Sequence, residues 1–323
     1  MEMNSSKLFF LGFMIIGVMM CLCSNNWLFI WCGLELSFIS FLPLISTNMI
    51  VSSESSMKYF LVQSLSSAML ILGLMMMLTM SIKYDLVILI STLIKIGVAP
   101  FHVWVLSVVE GLQMIPMMLM FTLSKIPPLM ILTLINFSLT LIILATLLVG
   151  GLLGINQSSI RKIVSYSSIF NIGLMLMSIK SNSVWFYYLL IYSMMLMLMI
   201  YIFFKMNIYY VNQMISSDQL LVNKMVILTM LLSMGGLPPF LGFSIKLLVI
   251  EFTMSLMMIL NLILMILCSL LVMFFYLRIM YLSIMFFSIS SKWILLKKND
   301  VSLFILMLNG VILPVSLSVK SFY

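Results

Sequence analysis

Lys95-Ile-Gly-Val-Ala-Pro-Phe-His102 interrupts one long apolar segment of the chain, and Gly235-Gly-Leu-Pro-Pro-Phe-Leu-Gly242 interrupts another. Three positions match at a constant offset of 139 residues: Gly97, Pro100 and Phe101 correspond to Gly236, Pro239 and Phe240. Proline removes a backbone donor and clashes with the preceding turn, so each stretch predicts a broken helix. Matched broken helices in two halves of a chain are typical of the ion path of a transporter.

The composition around these stretches predicts an integral membrane protein. Hydrophobic residues make up 64% of the chain and charged residues 7%, against about 25% charged residues in soluble domains. Lipid offers no partner for backbone groups, and the alternation expected of barrel strands is absent, so the spans are helices. No segment is long or polar enough for a soluble catalytic domain, which would have to belong to another chain.

The hydrophobic runs predict an all-α, polytopic fold of about eleven transmembrane helices. We expect a single integral membrane domain over 1–323, with repeat halves near 1–133 and 136–284. The fourth and ninth helices are the broken ones, and an odd separation of five makes the two copies run in opposite directions, as in an inverted repeat. The helices are expected near 8–24, 27–46, 57–81, 85–106, 113–133, 136–155, 162–179, 184–205, 224–257, 259–284 and 301–320.

Basic residues favour one side of the predicted membrane. With eleven helices, one side carries nine of them: Lys7, Lys58, Arg161, Lys162, Lys205, Lys224, Lys292, Lys297 and Lys298. The other side carries three: Lys83, Lys180 and Lys320. This bias places the N-terminus in the compartment equivalent to the cytosol. The net charge of +8 is therefore a topology signal, and it gives no reason to expect a nucleic-acid partner.

Four ionisable residues remain inside the spans: Glu35, Lys95, Lys125 and Lys246. An ammonium at the bilayer centre costs roughly 2.5–3.5 kcal/mol on insertion scales, so such residues are candidates for ion or proton handling. Each lysine also lies near a proline, and irregular backbone at membrane depth is tolerated where it lines a hydrated cavity. We predict a hydrated proton path through these four residues.

Other residues have weaker functional signals. His102 is the only histidine; it is a candidate proton relay, although a lone histidine on an apolar helix more often packs and hydrogen-bonds. Glu110 and Glu251 are ambiguous and are expected near helix ends. Proline kinks can also be simple packing features, so one broken helix alone would not indicate a transporter.

No metal or redox site is expected in this chain. The four cysteines lie within predicted spans, form no CxxC motif and are joined by no histidine, so we interpret them as small buried hydrophobic residues. A nucleotide-binding glycine loop and a haem-type histidine pair are also absent. The cysteines are Cys21, Cys23, Cys32 and Cys268.

Five strings carry a family resemblance that covers most of the chain. They are WCGLELSFISFLPLI from Trp31, ESSMKYFLVQSLSS from Glu54, KIGVAPFHVW from Lys95, NQSSIRKIVSYSSI from Asn156 and SMGGLPPFLGFSIK from Ser233. In this order they resemble the antiporter-like subunit 2 family of mitochondrial NADH-ubiquinone oxidoreductase, in its short, arthropod-like form.

The resemblance implies a proton-pumping core subunit in the membrane arm of respiratory complex I. It implies that Glu35, Lys95, Lys125 and Lys246 form the proton path, and that this chain is part of a translocase but performs no redox chemistry itself. NADH, FMN, iron-sulfur clusters and ubiquinone are expected in other subunits. The implied partners are neighbouring antiporter-like and small membrane subunits and lipids, in the mitochondrial inner membrane with the N-terminus toward the matrix.

The chain departs from the family pattern at three places. The family usually has Pro-Glu at Leu106-Ser107, Trp-Gln at Leu123-Ser124 and Asn-His-Leu-Gly at Phe170-Asn-Ile-Gly173, which puts a role of these neighbours in doubt. Two alternatives remain open on the residues alone. The chain could be a cation/proton antiporter subunit outside complex I, or a structural membrane subunit whose lysines never change protonation.

Overall fold

A computed structural model describes residues 5–47, 49–79, 84–135, 137–216 and 221–285. Within these ranges the chain is helical, and its only extended pairing is an isolated antiparallel bridge between Ser159 and Tyr210. The helices are α1 Ser5–Cys23, α2 Trp27–Ile45, α3 Ile50–Leu78, α4 Tyr84–Ile96, α5 Val103–Gly111, α6 Met114–Phe121, α7 Ile126–Leu134, α8 Thr140–Leu152, α9 Ile160–Met177, α10 Asn182–Lys205, α11 Gln213–Ser216, α12 Leu221–Gly235, α13 Leu241–Ser255 and α14 Ile259–Met285.

The chain divides into two compact units, residues 1–142 and 143–323. Six helical segments are long and apolar enough to cross a membrane by length and composition, which confirms a multi-pass helical membrane protein. The count of eleven spans and the repeat boundaries remain predictions. The predicted helix at 301–320 lies outside the described residues.

In the first unit, α1 packs closely along α2 at a pair of glycines. A Cβ built on Gly17 would lie 2.8 Å from Gly33 O, and one built on Gly33 would lie 2.7 Å from Gly17 O. Small residues at such a crossing let two helix backbones approach each other in lipid. The Cys21 thiol adds a hydrogen bond to Ile30 O at 3.3 Å. This contact anchors α2, the helix that carries Glu35.

The first predicted break is confirmed. Helix α4 ends at Ile96, and the chain resumes as α5 at Val103. Gly97 has φ +75° and its amide donates to Leu93 O and Ile94 O, which closes the helix end. Glycine adopts this left-handed conformation readily, whereas other residues are strained there. The 13-residue α4 is too short to span a bilayer by itself.

The second predicted break is also confirmed, in the second unit. Helix α12 ends at Gly235, Gly236 has φ +84°, and α13 begins at Leu241. A Cβ on Gly242 would lie only 1.7 Å from Ser233 O, so the start of α13 lies directly against the end of α12. The predicted uninterrupted length of about 34 residues is thereby divided into two shorter helices.

Helix α9 forms the interior of the second unit. Every residue from Ile163 to Met177 is buried, although the helix carries several polar side chains. Its hydroxyls are satisfied locally, as where Ser167 Oγ donates to Val164 O at 2.8 Å. Asn171 instead accepts a 2.7 Å hydrogen bond from Tyr188 Oη on α10. The buried serine hydroxyls and the Asn171 carbonyl oxygen of this helix therefore have partners within the protein, as lipid burial requires.

The helix predicted near 113–133 is present as one apolar helical segment, Met114–Leu134, but it changes helix type in its middle. Helix α6 ends at Phe121, Leu123–Lys125 forms a 3₁₀ turn, and α7 starts at Ile126. Pro127 and Pro128 lack the amide hydrogens that would bond the carbonyls four residues earlier, so the α-helix is interrupted before them. Lys125 therefore lies at a helix junction of its own.

The prediction that all four cysteines are buried was wrong for two of them. Cys21 and Cys268 are buried, whereas Cys23 and Cys32 are exposed on the surface of the chain. In a membrane protein an outward position faces lipid as easily as water, so a small apolar side chain is compatible with either place. All four are free thiols.

Candidate functional site

Three lysine side chains lie inside the protein beside the helix junctions. Lys95 is 6% exposed, Lys125 3% and Lys246 7%. Each sits at or next to an irregular segment: Lys95 in the last turn of α4, Lys125 in the 3₁₀ turn and Lys246 in α13 just after the second break. Lysine is almost never this buried unless it has a partner or a function.

Lys95 faces the one acid predicted to lie centrally in a span. Its Nζ is 3.9 Å from Glu35 Oε1, with side chains 4% and 21% exposed. This Oε1 atom is buried and has no hydrogen-bond partner among the described residues. The pair is therefore within ion-pair distance but too long for a hydrogen bond. A small movement of either side chain would strengthen or release it.

A small cavity adjoins Lys95. Its water-sized volume is about 20 Å³, and a cavity of roughly 10–15 Å³ by this measure holds one water. Its polar lining is supplied by α3, α4, α5 and the junction before α7: Tyr59, Gln63, Lys95, Trp104 and Ser124, together with Ser37 of α2. The site is thus polar and large enough for a water beside the amine.

Lys125 contacts the broken end of α4. Its amine donates a hydrogen bond to the carbonyl of Ile96, the last residue of that helix. The amine also lies 5.8 Å from the centre of the Trp104 ring, within the range of a cation–π interaction. The carbonyl end of a helix carries partial negative charge, which favours an ammonium there. Lys125 therefore pairs with the last carbonyl of α4.

Lys246 makes the equivalent contact at the second break, but it lies in the second half of the broken helix itself. Its Nζ donates to Gly235 O, the last residue of α12, at 2.5 Å. The ring of Phe170 lies 5.8 Å away. Gly236 leaves the space that the amine occupies, because a Cβ there would be 2.7 Å from Nζ. Among the described residues no carboxylate oxygen lies within 4.0 Å of this amine.

The weaker candidates lie apart from these contacts. His102 is placed just before α5, and its Nδ1 lies 3.2 Å from Pro100 O in the same break. Glu110 and Glu251 are exposed on the chain. A relay role for His102 stays a prediction. The structure places Glu35, Lys95 and Lys125 around one broken helix and Lys246 at the other.

Sequence reasoning missed two side chains that hold the first break. Trp104 Nε1 donates to Ile94 O at 3.1 Å, and Gln63 Nε2 donates to Lys95 O at 3.4 Å. Gln63 is 6% exposed, and a buried amide in an apolar span is a signal that could have identified it. Trp104 carried no such signal, since an aromatic residue is ordinary in a membrane helix.

The described residues contain no group of three or more histidine, cysteine, aspartate or glutamate side chains arranged to hold a metal ion. The polar groups of the site are instead amines, hydroxyls, amides and one carboxylate. Such groups can bind water and exchange protons. The arrangement fits proton movement at membrane depth.

Comparison with known families identifies the class of the protein. The family described as NADH:quinone oxidoreductase/Mrp antiporter, transmembrane, matches residues 24–273. Both broken helices and Glu35, Lys95, Lys125 and Lys246 fall within that range. The match defines the class of the protein as an antiporter-like membrane subunit.

Relatives of known name narrow the class. Over 306 residues the chain is 36% identical to NADH-ubiquinone oxidoreductase chain 2 of Anopheles gambiae, covering 90% of this chain and 89% of the relative. It is 32% identical to the protein of the same name from Locusta migratoria, with the same coverage. The protein of that name from Branchiostoma lanceolatum is 34% identical over 84% of each chain. The chain belongs to the NADH-ubiquinone oxidoreductase chain 2 family.

Solved structures share the fold. A chain of respiratory complex I from Thermus thermophilus superposes with a TM-score of 0.82 at 20% identity, covering 97% of this chain and 78% of that one. A chain of the Mrp complex from Dietzia superposes with a TM-score of 0.74 at 16% identity, covering 84% and 59%. The predicted fold class, all-α and antiporter-like, is confirmed.

Proposed function

We propose that this chain is the antiporter-like core subunit 2 of the membrane arm of a proton-translocating NADH:ubiquinone oxidoreductase, and that Glu35, Lys95, Lys125 and Lys246 carry its proton path. The family membership supports the subunit assignment. One observation carries the path: three buried amines each lie at or beside a helix junction, two bonded to the last carbonyl of a half-helix and the third in the last turn of α4. Half-helix ends at membrane depth are typical of sites that bind transported ions and protons.

The first unit provides a pair whose strength can change. Glu35 favours the ammonium form of Lys95 when the two side chains are close, and a longer separation weakens that preference. At an effective dielectric of 20, two charges 4 Å apart attract each other by about 4 kcal/mol, and the attraction falls with distance. A neighbouring subunit that moves α2 or α4 could therefore drive protonation or release at Lys95.

The second amine of the first unit is joined to the first through the backbone. Lys125 bonds the carbonyl of Ile96, the residue that follows Lys95. The cavity beside Lys95 is also lined by Ser124, the neighbour of Lys125. A water held there would lie beside the Lys95 amine and Ser124, and could relay a proton toward Lys125. In this proposal Lys246 performs the corresponding step in the second unit.

The energy for this movement comes from outside the chain. We propose that quinone reduction elsewhere in the complex drives it through contacts with neighbouring antiporter-like and small membrane subunits, with no cofactor bound here. The proposed location is the mitochondrial inner membrane, with the N-terminus toward the matrix. The excess of basic residues on that side supports the orientation.

Substitution of Lys246 by methionine in the assembled complex tests the proposal. Methionine keeps the length and apolar stem but cannot carry a proton, so proton translocation should fall at least about tenfold, as expected for loss of a proton-transfer group. Lys205→Met is the matched control, because Lys205 is exposed at the end of α10 in the same unit. Translocation and NADH oxidation are measured together in sealed vesicles.

Normal pumping in assembled Lys246→Met complexes would favour a structural subunit whose lysines keep one protonation state. The similarity to an Mrp complex chain makes an antiporter subunit outside complex I the other alternative. Purification of the chain in its native membrane distinguishes these: it should be recovered with NADH-oxidising activity. Recovery with cation/proton exchange alone would contradict the assignment.

A further inference from the structure

At the end of α4, three carbonyls lack the amides that would bond them in a continuing helix, although Ile94 O keeps one backbone donor, the Gly97 amide at 3.1 Å. In an unbroken helix, Ile94, Lys95 and Ile96 would accept from the amides four residues later. Here the Val98 amide donates to Leu93 O instead, and residue 100 is a proline with no amide hydrogen. Buried carbonyls at a helix end need other donors.

Three side chains from three different segments supply those donors. Ile94 O accepts from Trp104 Nε1 of α5 at 3.1 Å, and Lys95 O accepts from Gln63 Nε2 of α3 at 3.4 Å. Ile96 O accepts from the Lys125 amine. The helix end that carries Lys95 is thus held in place by neighbouring segments as well as by the amides of Gly97 and Val98.

Trp104 contacts both the end of α4 and the Lys125 amine. Besides its bond to Ile94, its ring lies under the Lys125 amine at 5.8 Å and it lines the cavity next to Lys95. Its ring also fills the space beside Gly97, where an added Cβ would lie 3.2 Å from Trp104 Cζ2. One side chain therefore contacts the helix end on one edge and the second amine on its face.

We propose that Trp104 is a positioning residue of the proton path: its indole N–H fixes the end of α4, and with it Lys95, while its ring face fixes the Lys125 amine. The inference rests on the proposed function. Proton transfer depends steeply on the separation of donor and acceptor, and a misplacement of 1 Å can slow a reaction by roughly a hundredfold. A residue that fixes both amines at once therefore controls the transfer without itself exchanging a proton.

Trp104→Phe in the assembled complex separates the two contacts. Phenylalanine keeps an aromatic face for Lys125 but has no donor for Ile94 O, so the end of α4 loses one of its three side-chain donors and Ile94 O keeps only the Gly97 amide. We expect proton translocation through this subunit to fall roughly tenfold, an intermediate loss on the scale of such misplacements. Trp104→Leu removes the face as well and should slow translocation further, while NADH oxidation in uncoupled membranes stays unchanged.

Trp185→Phe is the matched control. Trp185 is 1% exposed, and its Nε1 has no hydrogen-bond partner in the described part of the second unit. Its replacement removes a buried indole N–H that bonds none of the described residues, so pumping should not change. Ultraviolet resonance Raman difference spectra provide a second readout. Wild type minus Trp104→Phe should show a hydrogen-bonded indole, and wild type minus Trp185→Phe a non-bonded one.

The Lys125→Met variant separates failure of this inference from failure of the proposed function. If Lys125→Met stops translocation while Trp104→Phe pumps normally, the positioning role is wrong and the proton path stands. If Lys125→Met also pumps normally, the proton path itself is wrong. Should Trp104→Phe not assemble, Trp104→His restores a ring N–H: assembly with pumping supports the role, and assembly without pumping overturns it.

Discussion

The two broken helices contain the same glycine, proline and phenylalanine spacing but hold their lysines differently. At the first break, side chains from three other segments bond the end of α4, and Lys95 faces a carboxylate at 3.9 Å. At the second break, Lys246 lies in α13 and bonds the end of α12 itself, and among the described residues no carboxylate lies within 4.0 Å.

This difference separates two ways of keeping an amine in a membrane. At the first break the amine has a partner on another helix, so relative movement of helices can change its proton affinity. At the second break the amine is fixed by burial and by the backbone of its own broken helix, which changes less when neighbours move. The first break is therefore suited to receive a signal, and the second to hold a proton in a constant environment.

The largest expected effect concerns the tight backbone of the second break. Gly242→Ala would place a Cβ 1.7 Å from Ser233 O, and backbone cannot move aside as a flexible side chain can. We expect a loss of about 3 kcal/mol in stability, the upper part of the range for overpacking, and little assembled complex. The amount of assembled complex in native gels and its thermal midpoint measure the effect.

The equivalent position in the first break provides the control for Gly242. It is occupied by Val103, 139 residues earlier, whose side chain is 64% exposed. Val103→Ala should leave assembly unchanged, because nothing packs closely around it. Similar losses of assembled complex for both variants would mean that the backbone is no more tightly packed at Gly242 than at Val103, and that the two breaks are built alike.

An intermediate effect is expected from removing the carboxylate of the first break. Glu35→Gln keeps the shape but removes the charge 3.9 Å from Lys95, so the amine loses the partner that favours its protonated form. Translocation should fall roughly tenfold, which corresponds to about 1.4 kcal/mol. Proton uptake and NADH oxidation in sealed vesicles measure it, with NADH oxidation in uncoupled membranes unchanged.

The matched control for Glu35 is an ion pair of the same types on an exposed helix face. Glu54 and Lys58 are 2.6 Å apart with side chains 62% and 44% exposed, and exposed pairs contribute roughly 0–1 kcal/mol. Glu54→Gln should therefore leave both pumping and assembly within error of wild type. If Glu35→Gln behaves in the same way, the carboxylate is not a functional partner of Lys95.

The positions of the breaks and of the buried charges followed from the sequence, because glycine, proline and isolated lysines leave local signals in an apolar chain. The junction at Lys125 was missed, although Pro127 and Pro128 pointed to it, because prolines inside a membrane helix are also compatible with a simple kink. The contacts of Trp104 and Gln63 were not predictable. They join residues 10 and 32 positions apart in the chain, and only tertiary packing decides which carbonyl a side chain meets.

The smallest expected effect tests whether the first break depends on its neighbours. Gln63→Leu removes the donor 3.4 Å from Lys95 O and leaves that carbonyl without this partner, at a cost of about 1 kcal/mol. The thermal stability of the complex should fall slightly. Translocation should also fall, but the loss should be severalfold smaller than in Glu35→Gln. Ser64→Ala, at the neighbouring position, removes a half-buried hydroxyl that donates to Leu61 O of its own helix, and it should change neither thermal stability nor translocation. If Gln63→Leu also leaves thermal stability and translocation unchanged, α3 does not help to hold the end of α4. The two breaks are then more alike than their contacts indicate.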